Sequence, residues 1–199
     1  MHAWEQEGIS PDIQTIGKAL GGGFVPLSGV LLNQRIFDAL AEGTGVLAHG
    51  HTFQAHPTAC VAALAVQKII KRDHILENVN AMGAMLEEEL RREISRISHV
   101  ADIRGRGLFW AVEFMLDPRK KIAFPINANF SNRIVDSAAK IGLNILGTLG
   151  KTGLYDVDFI IIAPPYITRA SEIKTIVKLL KAAICEVADE FDGRTMARI

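Results

Sequence analysis

The sequence predicts an α/β fold that passes into a smaller α+β layer. Strand-like and helix-like stretches alternate through the first part of the chain, and a long amphipathic pattern begins at Ile75. The segment after that pattern alternates like a pair of strands. With 49% hydrophobic residues among 199, the chain has ample material for a packed core. We therefore expect two domains, residues 1–97 and residues 98–199.

Short elements make up the first predicted domain. A helix end and loop are expected over residues 1–11, closed by Gly8 and Ser10-Pro11. Apolar and β-branched residues then predict two strands, and the second is expected to be buried. Two helices follow. Asn33 is predicted to cap the first helix, with Ile36, Phe37 and Leu40 on its inner face. The strands are predicted at Ile13–Ile16 and Ser28–Leu32, and the second helix at Thr58–Lys71.

The long helix that begins at Ile75 leads into the second predicted domain. Its apolar stripe consists of Ile75, Val79, Met82, Leu86, Leu90, Ile94 and Ile97. Beyond it, the alternation predicts two strands over Val100–Phe114 that turn at Arg104-Gly105-Arg106-Gly107, with Trp110, Val112 and Phe114 on one face. The next predicted elements are a helix at Ser131–Ile141 and strands at Leu143–Leu146 and Asp158–Ile162. Thr168 is predicted to cap a final helix. The apolar stripe of that helix consists of Ile173, Ile176, Val177, Leu180, Ile184 and Val187.

Charge and cysteine content narrow the classes of function. Twenty-two basic residues balance twenty-two acidic ones, so there is no global field to attract nucleic acid or an anionic membrane. Cys60 and Cys185 lie far apart, which favours buried free thiols in a reducing compartment over a disulfide framework. The first residues lack the apolar core of a signal peptide, and the most apolar run, Phe159–Ala163, is too short to span a bilayer. We expect a cytoplasmic protein that acts on small molecules.

The stretch that points to chemistry is Asp12–Gly23. A short strand delivers Lys18 between Gly17 and an Ala-Leu-Gly-Gly-Gly turn, where small residues let a flat ligand approach the backbone. Burial of an ammonium is costly, so a desolvated lysine becomes a neutral amine, which attacks carbonyl carbon. Lys18 is therefore a candidate Schiff-base lysine. The alternative is a strand-end lysine whose stem packs while its charge reaches water.

Neither nucleotide-binding motif fits these glycines. A P-loop needs Ser or Thr after its Gly-Lys, and Ala19 stands there. A dinucleotide fingerprint opens a helix, whereas Gly21–Gly23 run on into Phe24-Val25-Pro26. The histidine-rich loop 49–57 allows a metal reading, but no carboxylate or cysteine stands at ligand spacing, so we predict no metal site and locally hydrogen-bonded imidazoles.

Four motifs in order resemble the class III aminotransferases, pyridoxal-phosphate enzymes of fold type I. They are Pro11-Asp12-Ile13 leading to Gly17–Gly23, then Gly50-His51-Thr52-Phe53 with His56-Pro57, then Arg104–Leu108, and finally Ala163-Pro164-Pro165. The resemblance covers nearly the whole chain. It implies that residues 1–97 are the carboxy-terminal part of the cofactor-binding large domain with its connecting helix, and that residues 98–199 are the small α+β domain.

The resemblance also implies roles for individual residues. Lys18 would form the internal aldimine with pyridoxal 5′-phosphate, give way to the substrate amine, and then carry the proton between substrate carbon and cofactor. His51 and Thr52 match cofactor-binding positions, and Thr52 would hold the cofactor phosphate of the neighbouring subunit, which implies a homodimer with a shared site. Gly22 and Gly23 would let backbone pass close to the cofactor ring; their alternative role is a plain turn.

The chain departs from the family pattern in length. In the family, a substantial segment before this region carries the aspartate that pairs with the ring nitrogen, an aromatic residue that stacks on the ring, and a phosphate-binding loop. We therefore expect this chain to be the carboxy-terminal part of an aminotransferase, from either a truncated reading frame or a split enzyme. A non-catalytic truncated paralogue that binds a full-length partner is a further alternative.

A second departure concerns the substrate. Family members that hold a substrate carboxylate through a carboxy-terminal arginine place it two residues before Ala-Pro-Pro, where this chain has Ile161. An aliphatic side chain cannot make the bidentate contact that arginine offers. We therefore expect an amine or ω-amino-acid donor and a keto-acid acceptor. An aminomutase or a decarboxylase of the same family, which would use the same Lys18 chemistry, is the alternative.

Overall fold

A computed structural model describes residues 2–152 and 155–196 of the chain. The described residues cluster into two compact units, one ending at Leu76 and the other beginning at Glu77. The boundary predicted between residues 97 and 98 refers to the domains of a whole enzyme, and it stays a prediction. No helix in the described ranges is both long enough and apolar enough to cross a membrane.

The described residues of the first unit form a two-stranded sheet, three α-helices and a short 3-10 helix. The helices are α1 (Ala3–Glu7), α2 (Gln34–Glu42) and α3 (Pro57–Arg72), and the strands are β1 (Ile13–Ile16) and β2 (Gly29–Leu32). The strands pair antiparallel, with Ile13 opposite Leu32 and Ile16 opposite Gly29. The Asn33 side chain accepts a hydrogen bond from the Ile36 N–H at 3.1 Å, which confirms the predicted cap of α2.

Burial in this unit differs from the prediction. The strand Gly29–Leu32 was expected to be buried, yet Val30, Leu31 and Leu32 are all exposed, and so is Phe37 on the expected inner face of α2. For this chain taken alone, the burial predicted for β2 is wrong, and that predicted for α2 is wrong at Phe37, whereas Ile36 and Leu40 are half-buried. Among the described residues of the unit, the buried hydrophobic residues are Ala59 and Ala63. The elements form as predicted, but little in the unit covers their apolar faces.

A four-stranded antiparallel sheet forms the centre of the second unit. Its strands are β3 (Val100–Arg106), β4 (Phe109–Phe114), β5 (Leu146–Thr152) and β6 (Tyr155–Ile162), in the spatial order β3-β4-β6-β5. Trp110, Val112 and Phe114 of β4 are buried, which confirms the predicted face. The strand predicted at Leu143–Leu146 is wrong: β5 begins where that prediction ends.

Three helices pack with this sheet into one apolar core. They are α4 (Ile75–Glu93), α5 (Phe130–Lys140) and α6 (Ala170–Met196). The buried core cluster runs from Leu86 to Ala188 and therefore lies entirely in the second unit. It includes Leu86, Leu90 and Ile94 from the predicted stripe of the long helix and Ile173, Val177 and Leu180 from that of the last. Both stripes are confirmed.

The start of α6 differs in detail from the predicted cap. The hydroxyl of Thr168 donates to the Glu172 carboxylate at 3.4 Å instead of accepting from a helical N–H group. The Arg169 N–H donates to the same carboxylate at 2.7 Å. The first-turn carboxylate therefore closes the helix, an arrangement that the sequence pattern alone does not distinguish from a threonine cap.

The predicted turn at Arg104–Gly107 lies partly elsewhere: Gly107 and Leu108 form the turn that joins β3 to β4, whereas residues 104–106 pair with β4 as part of β3. Gly107 has φ +55°, a conformation that favours glycine, and the Trp110 indole N–H donates to its carbonyl at 2.8 Å. Arg104 lies in strand β3 and is ion-paired with Asp102 at 2.9 Å and with Glu113. The glycines and Arg104 of this motif thus have structural roles in the small sheet.

Both cysteines are free, as predicted, but the prediction that they are buried is wrong. Cys60 is exposed on α3, and Cys185 on α6 is partly buried.

Candidate active site

Lys18 follows β1 after one residue, Gly17, and begins a short 3-10 helix, Lys18–Gly21. Its φ of +56° is a left-handed conformation that a residue with a Cβ rarely adopts. Such a conformation costs about 1–3 kcal/mol and is concentrated at functional sites. Gly22 and Gly23 follow with φ values of +63° and +81°, so the backbone reverses where the sequence supplies glycine.

The histidine-rich loop leads into α3 by a defined backbone path. The Gln54 N–H donates to the His51 carbonyl at 3.0 Å, and Ala55 has φ +55°. His56 caps the helix: its Nδ1 accepts from the Ala59 N–H at 3.3 Å, with Pro57 at the first helical position. The local hydrogen bond predicted for the histidines is thus confirmed for His56.

The two stretches line one cleft of about 890 Å³ in the first unit. Lys18 lies in its lining together with Val25–Ser28 from the segment before β2, and with His51 and Phe53 from the histidine-rich loop. Apart from Lys18 and the histidines, the lining residues are uncharged. An amine beside apolar and aromatic surface suits a flat, aldehyde-bearing ligand.

The structure brings together some of the predicted site residues and leaves others apart. Lys18 and His51 share the cleft lining, whereas Thr52, Gly22 and Gly23 are not among the residues that line it. A Cβ on Gly22 would lie 3.1 Å from Val66 Cγ2, and one on Gly23 would meet nothing within 4 Å. Both glycines are therefore explained here by backbone conformation, and their approach to a cofactor stays a prediction.

Lys18 is exposed in this chain, so the prediction of a desolvated amine is wrong for the described residues alone. The physical reason is the open first unit, whose few buried apolar residues do not enclose the strand end. A neutral working amine needs further walls that keep water away.

The lining residues fit one end of pyridoxal phosphate. The lysine amine suits the aldehyde, and Val25, Pro26 and Phe53 offer apolar surface to the ring. Within the described lining there is no carboxylate that could face the ring nitrogen. The described lining therefore offers partners for the aldehyde and for the face of the ring, and none for the ring nitrogen.

Some lining residues carry no signal in the sequence. Ser28 and Gln54 reach the cleft because a turn and a loop return to the end of β1. Phe53 and His56 belong to the motifs quoted above, but their place in the lining depends on tertiary structure. The helix cap at His56 could be predicted from the following proline.

Comparison with known proteins identifies the family of this chain. Residues 1–184 match the family model of the class-III aminotransferases. An uncharacterized aminotransferase of Schizosaccharomyces pombe is 40% identical over 92% of this chain and 40% of its own length. An aminotransferase of Gibberella zeae is 39% identical over 92% of this chain and 36% of its own length.

A solved structure of similar fold is an amine transaminase from an uncultivated Pseudomonas species. It is 33% identical, with a TM-score of 0.82 over 92% of this chain and 40% of that one. The chain thus spans about two-fifths of the length of the relatives that it matches. On the match over residues 1–184 and the shared fold, the chain belongs to the class III aminotransferase family, with the fold of the carboxy-terminal portion of a fold type I pyridoxal-phosphate-dependent transferase.

Proposed function

We propose that this chain provides the carboxy-terminal part of a pyridoxal-phosphate-dependent transaminase. The enzyme moves an amino group from an amine or ω-amino acid to a keto acid in two half-reactions of ping-pong order. The proposal depends on the position of Lys18, whose amine lies in the lining of a cleft and whose backbone is left-handed. Lys18 also lies within the family match over residues 1–184.

In this proposal Lys18 has two tasks. Its Nζ would hold the aldehyde end of the cofactor, and when a substrate amine takes that place, Nζ would carry the proton between the substrate carbon and the cofactor. Pyridoxal phosphate, when bound, supplies the electron sink that makes that carbon acidic. Both tasks need the uncharged amine, so residues beyond this chain must shield Lys18 from water.

The other proposed contacts support the cofactor rather than the proton transfer. Thr52 offers a hydroxyl and a backbone N–H to a phosphate group. It is not among the residues that line the cleft of its own chain, so we assign it to the cofactor phosphate of a neighbouring subunit. His51 lies in the lining beside it. The working unit is then a homodimer with a shared site, in which Gly22 and Gly23 pass close to the cofactor ring.

The proposed substrates follow from Ile161. This residue lies on β6, opposite Ala111 of β4 and Leu146 of β5, so its neighbours across the sheet are also apolar. No bidentate contact to a carboxylate is available from that side chain. An amine or ω-amino-acid donor is therefore favoured, and the name of the similar amine transaminase points the same way.

Chemical trapping tests the role of Lys18. We expect borohydride reduction of a chimera that joins the amino-terminal part of the S. pombe relative to this chain, mixed with pyridoxal phosphate and followed by peptide mapping, to find the cofactor on Lys18 in preference to Lys68 and Lys71. These two lysines are exposed on α3 and serve as matched controls. Lys18→Ala should lose the main label, and Lys68→Ala should keep it. Label on the α3 lysines with Lys18 unmodified would sink the proposal.

A further inference from the structure

A side chain of α3 reaches back to the 3-10 helix that begins with Lys18, which we call the lysine turn (Lys18–Gly21). The Gln67 Nε2 donates to the Leu20 carbonyl oxygen at 3.3 Å. The two residues lie 47 positions apart in the sequence, and both are half-buried. The bond therefore connects two elements of the first unit that are neighbours only in the tertiary structure.

The lysine turn leaves the Leu20 carbonyl to this partner. Three other carbonyls of the segment accept backbone N–H groups within it. Those bonds run from the Leu20 N–H to Gly17, from the Gly22 N–H to Ala19 and from the Phe24 N–H to Gly21, at 3.1, 2.9 and 3.1 Å. In the described structure the Leu20 carbonyl accepts from the Gln67 amide and from no backbone N–H group. Because a half-buried carbonyl without a partner costs free energy, the Gln67 amide favours this arrangement of the turn over others.

The strained backbone at Lys18 requires such support. Its φ of +56° persists only where the surrounding structure holds it. On the amino-terminal side, the pairing of β1 with β2 fixes the chain. On the other side, α3 provides the hydrogen bond from Gln67 and an apolar contact, since a Cβ on Gly22 would lie 3.1 Å from Val66 Cγ2. The lysine turn is thus held between the sheet and α3.

The same face of α3 also lines the cleft. Ala59, Ala63 and Gln67 are spaced four residues apart, which places them on one face of the helix. Ala59 belongs to the cleft lining, whereas Gln67 lies two turns further along and is not among the lining residues. Both alanines are buried. One helix face therefore connects the wall of the cleft with the turn that supplies its amine.

We propose that Gln67 is a positioning residue for Lys18. It lies outside the cleft lining and acts through the Leu20 carbonyl, which it holds so that the lysine turn keeps Lys18 in the lining. Its kinetic consequence rests on the proposed transaminase function, whereas its effect on the Lys18 backbone does not.

Kinetics of the chimera with the S. pombe relative test the consequence. Gln67→Met and Gln67→Glu keep the size of the side chain but remove its N–H donor. We expect each to lower kcat about 10-fold and to leave KM for the amine within about 2-fold, because no contact with the substrate changes. Gln67→Lys, which keeps a donor on a flexible stem, should restore most of kcat. Lys68→Met, at an exposed position next to Gln67, is the matched control and should leave both constants unchanged.

NMR of the chain alone tests the structural part. The three-bond coupling between the N–H and Hα of Lys18, together with its Cα chemical shift, reports the left-handed φ. We expect the signature of that conformation in the unmodified chain and in Gln67→Lys, and its loss in Gln67→Met and Gln67→Glu.

The two readouts must change together. A fall in kcat with an unchanged Lys18 signature, a changed signature with unchanged kcat, or an equal loss of kcat in Gln67→Lys and Gln67→Met would each overturn the proposal. If the unmodified chimera is inactive, or if its activity survives Lys18→Ala, the proposed function fails instead. The Lys18 signature in the Gln67 variants then decides the inference alone.

Discussion

Asp158 holds a carboxyl group that is almost fully buried in the second unit, at 7% exposure. It accepts a hydrogen bond from the Ser131 N–H at 2.7 Å, at the start of α5, where Asn129 provides no side-chain cap. Burial raises the pKa of Asp158 above its usual value, and the hydrogen bonds from Ser131 and Phe130 offset part of that effect. The carboxyl of Asp158 on β6 thus caps α5, and its burial costs free energy when the group is ionised.

This pKa shift predicts a pH dependence of stability. Because the folded-state pKa is raised, the stabilisation from this group is complete below the unfolded-state pKa and is lost as pH rises through the folded-state pKa. Asp158→Asn keeps an acceptor for Ser131 but removes the titration. We expect the free energy of unfolding of the variant, measured by urea titration, to improve relative to wild type between about pH 4 and pH 7. A difference that is constant with pH, or that has the opposite slope, would contradict the account.

Local sequence context made Lys18 a candidate residue but did not predict its environment. The glycines around it predicted close backbone approach, and the backbone does reverse there, with glycine at the two positions after the 3-10 helix. The left-handed conformation of Lys18 itself could not be predicted, since no residue type at that position requires it. Its exposure also depends on residues distant in sequence, which a local pattern does not contain.

α4 approaches the turn between β3 and β4 so closely that a side chain does not fit between them. A Cβ on Gly83 would lie 2.5 Å from the Gly107 carbonyl oxygen, and a Cβ on Gly105 would clash with the Phe109 carbonyl and the Trp110 ring. Gly83 therefore permits α4 to pack against the turn at Gly107, and Gly105 permits β3 to lie close to β4.

Gly83→Ala should destabilise the second unit. The added methyl group meets backbone that cannot rotate away, so we expect a loss of about 1–3 kcal/mol in the free energy of unfolding, despite the better helix propensity of alanine. Gly193→Ala on α6 is the matched control, because nothing lies within 4 Å of its added Cβ. That variant should gain up to about 1 kcal/mol. Equal effects of the two substitutions in urea titrations would refute the packing argument.

Hydrophobic periodicity predicted most of the helices and strands. It failed where a buried residue lies outside a strand and where no other part of the described chain covers an apolar strand. The stripes of α4 and α6 and the alternation of β4 led to the right faces because each contacts a core within this chain. Leu143 was assigned to a strand, but it is buried in the core from outside β5. The apolar run of β2 predicted burial, and it is exposed because nothing in the described chain covers it.

The molecule combines a unit with a complete core and a unit with almost none. Leu86 is fully buried in the second unit, whereas Leu31 of the first is 48% exposed. The same Leu→Ala substitution at these two positions therefore tests whether the two units differ in packing.

In the chain alone, Leu86→Ala should lower the free energy of unfolding by about 2–5 kcal/mol, because it leaves a cavity in a packed core. Leu31→Ala should change it by no more than about 0.5 kcal/mol, since exposed positions contribute little. Circular dichroism during urea titration measures both. A large loss for Leu31→Ala would mean that the first unit is packed in solution.

Amino transfer by three proteins tests most directly whether Lys18 is the catalytic residue of a larger enzyme. The proteins are the chain alone, a chimera that joins the amino-terminal part of the S. pombe relative to this chain, and that chimera with Lys18→Ala. Each is given pyridoxal phosphate, an ω-amine and a keto acid, and the amino-acid product is quantified. The account predicts turnover by the chimera only. Sustained turnover by the chain alone, or turnover by the chimera that survives Lys18→Ala, would contradict it.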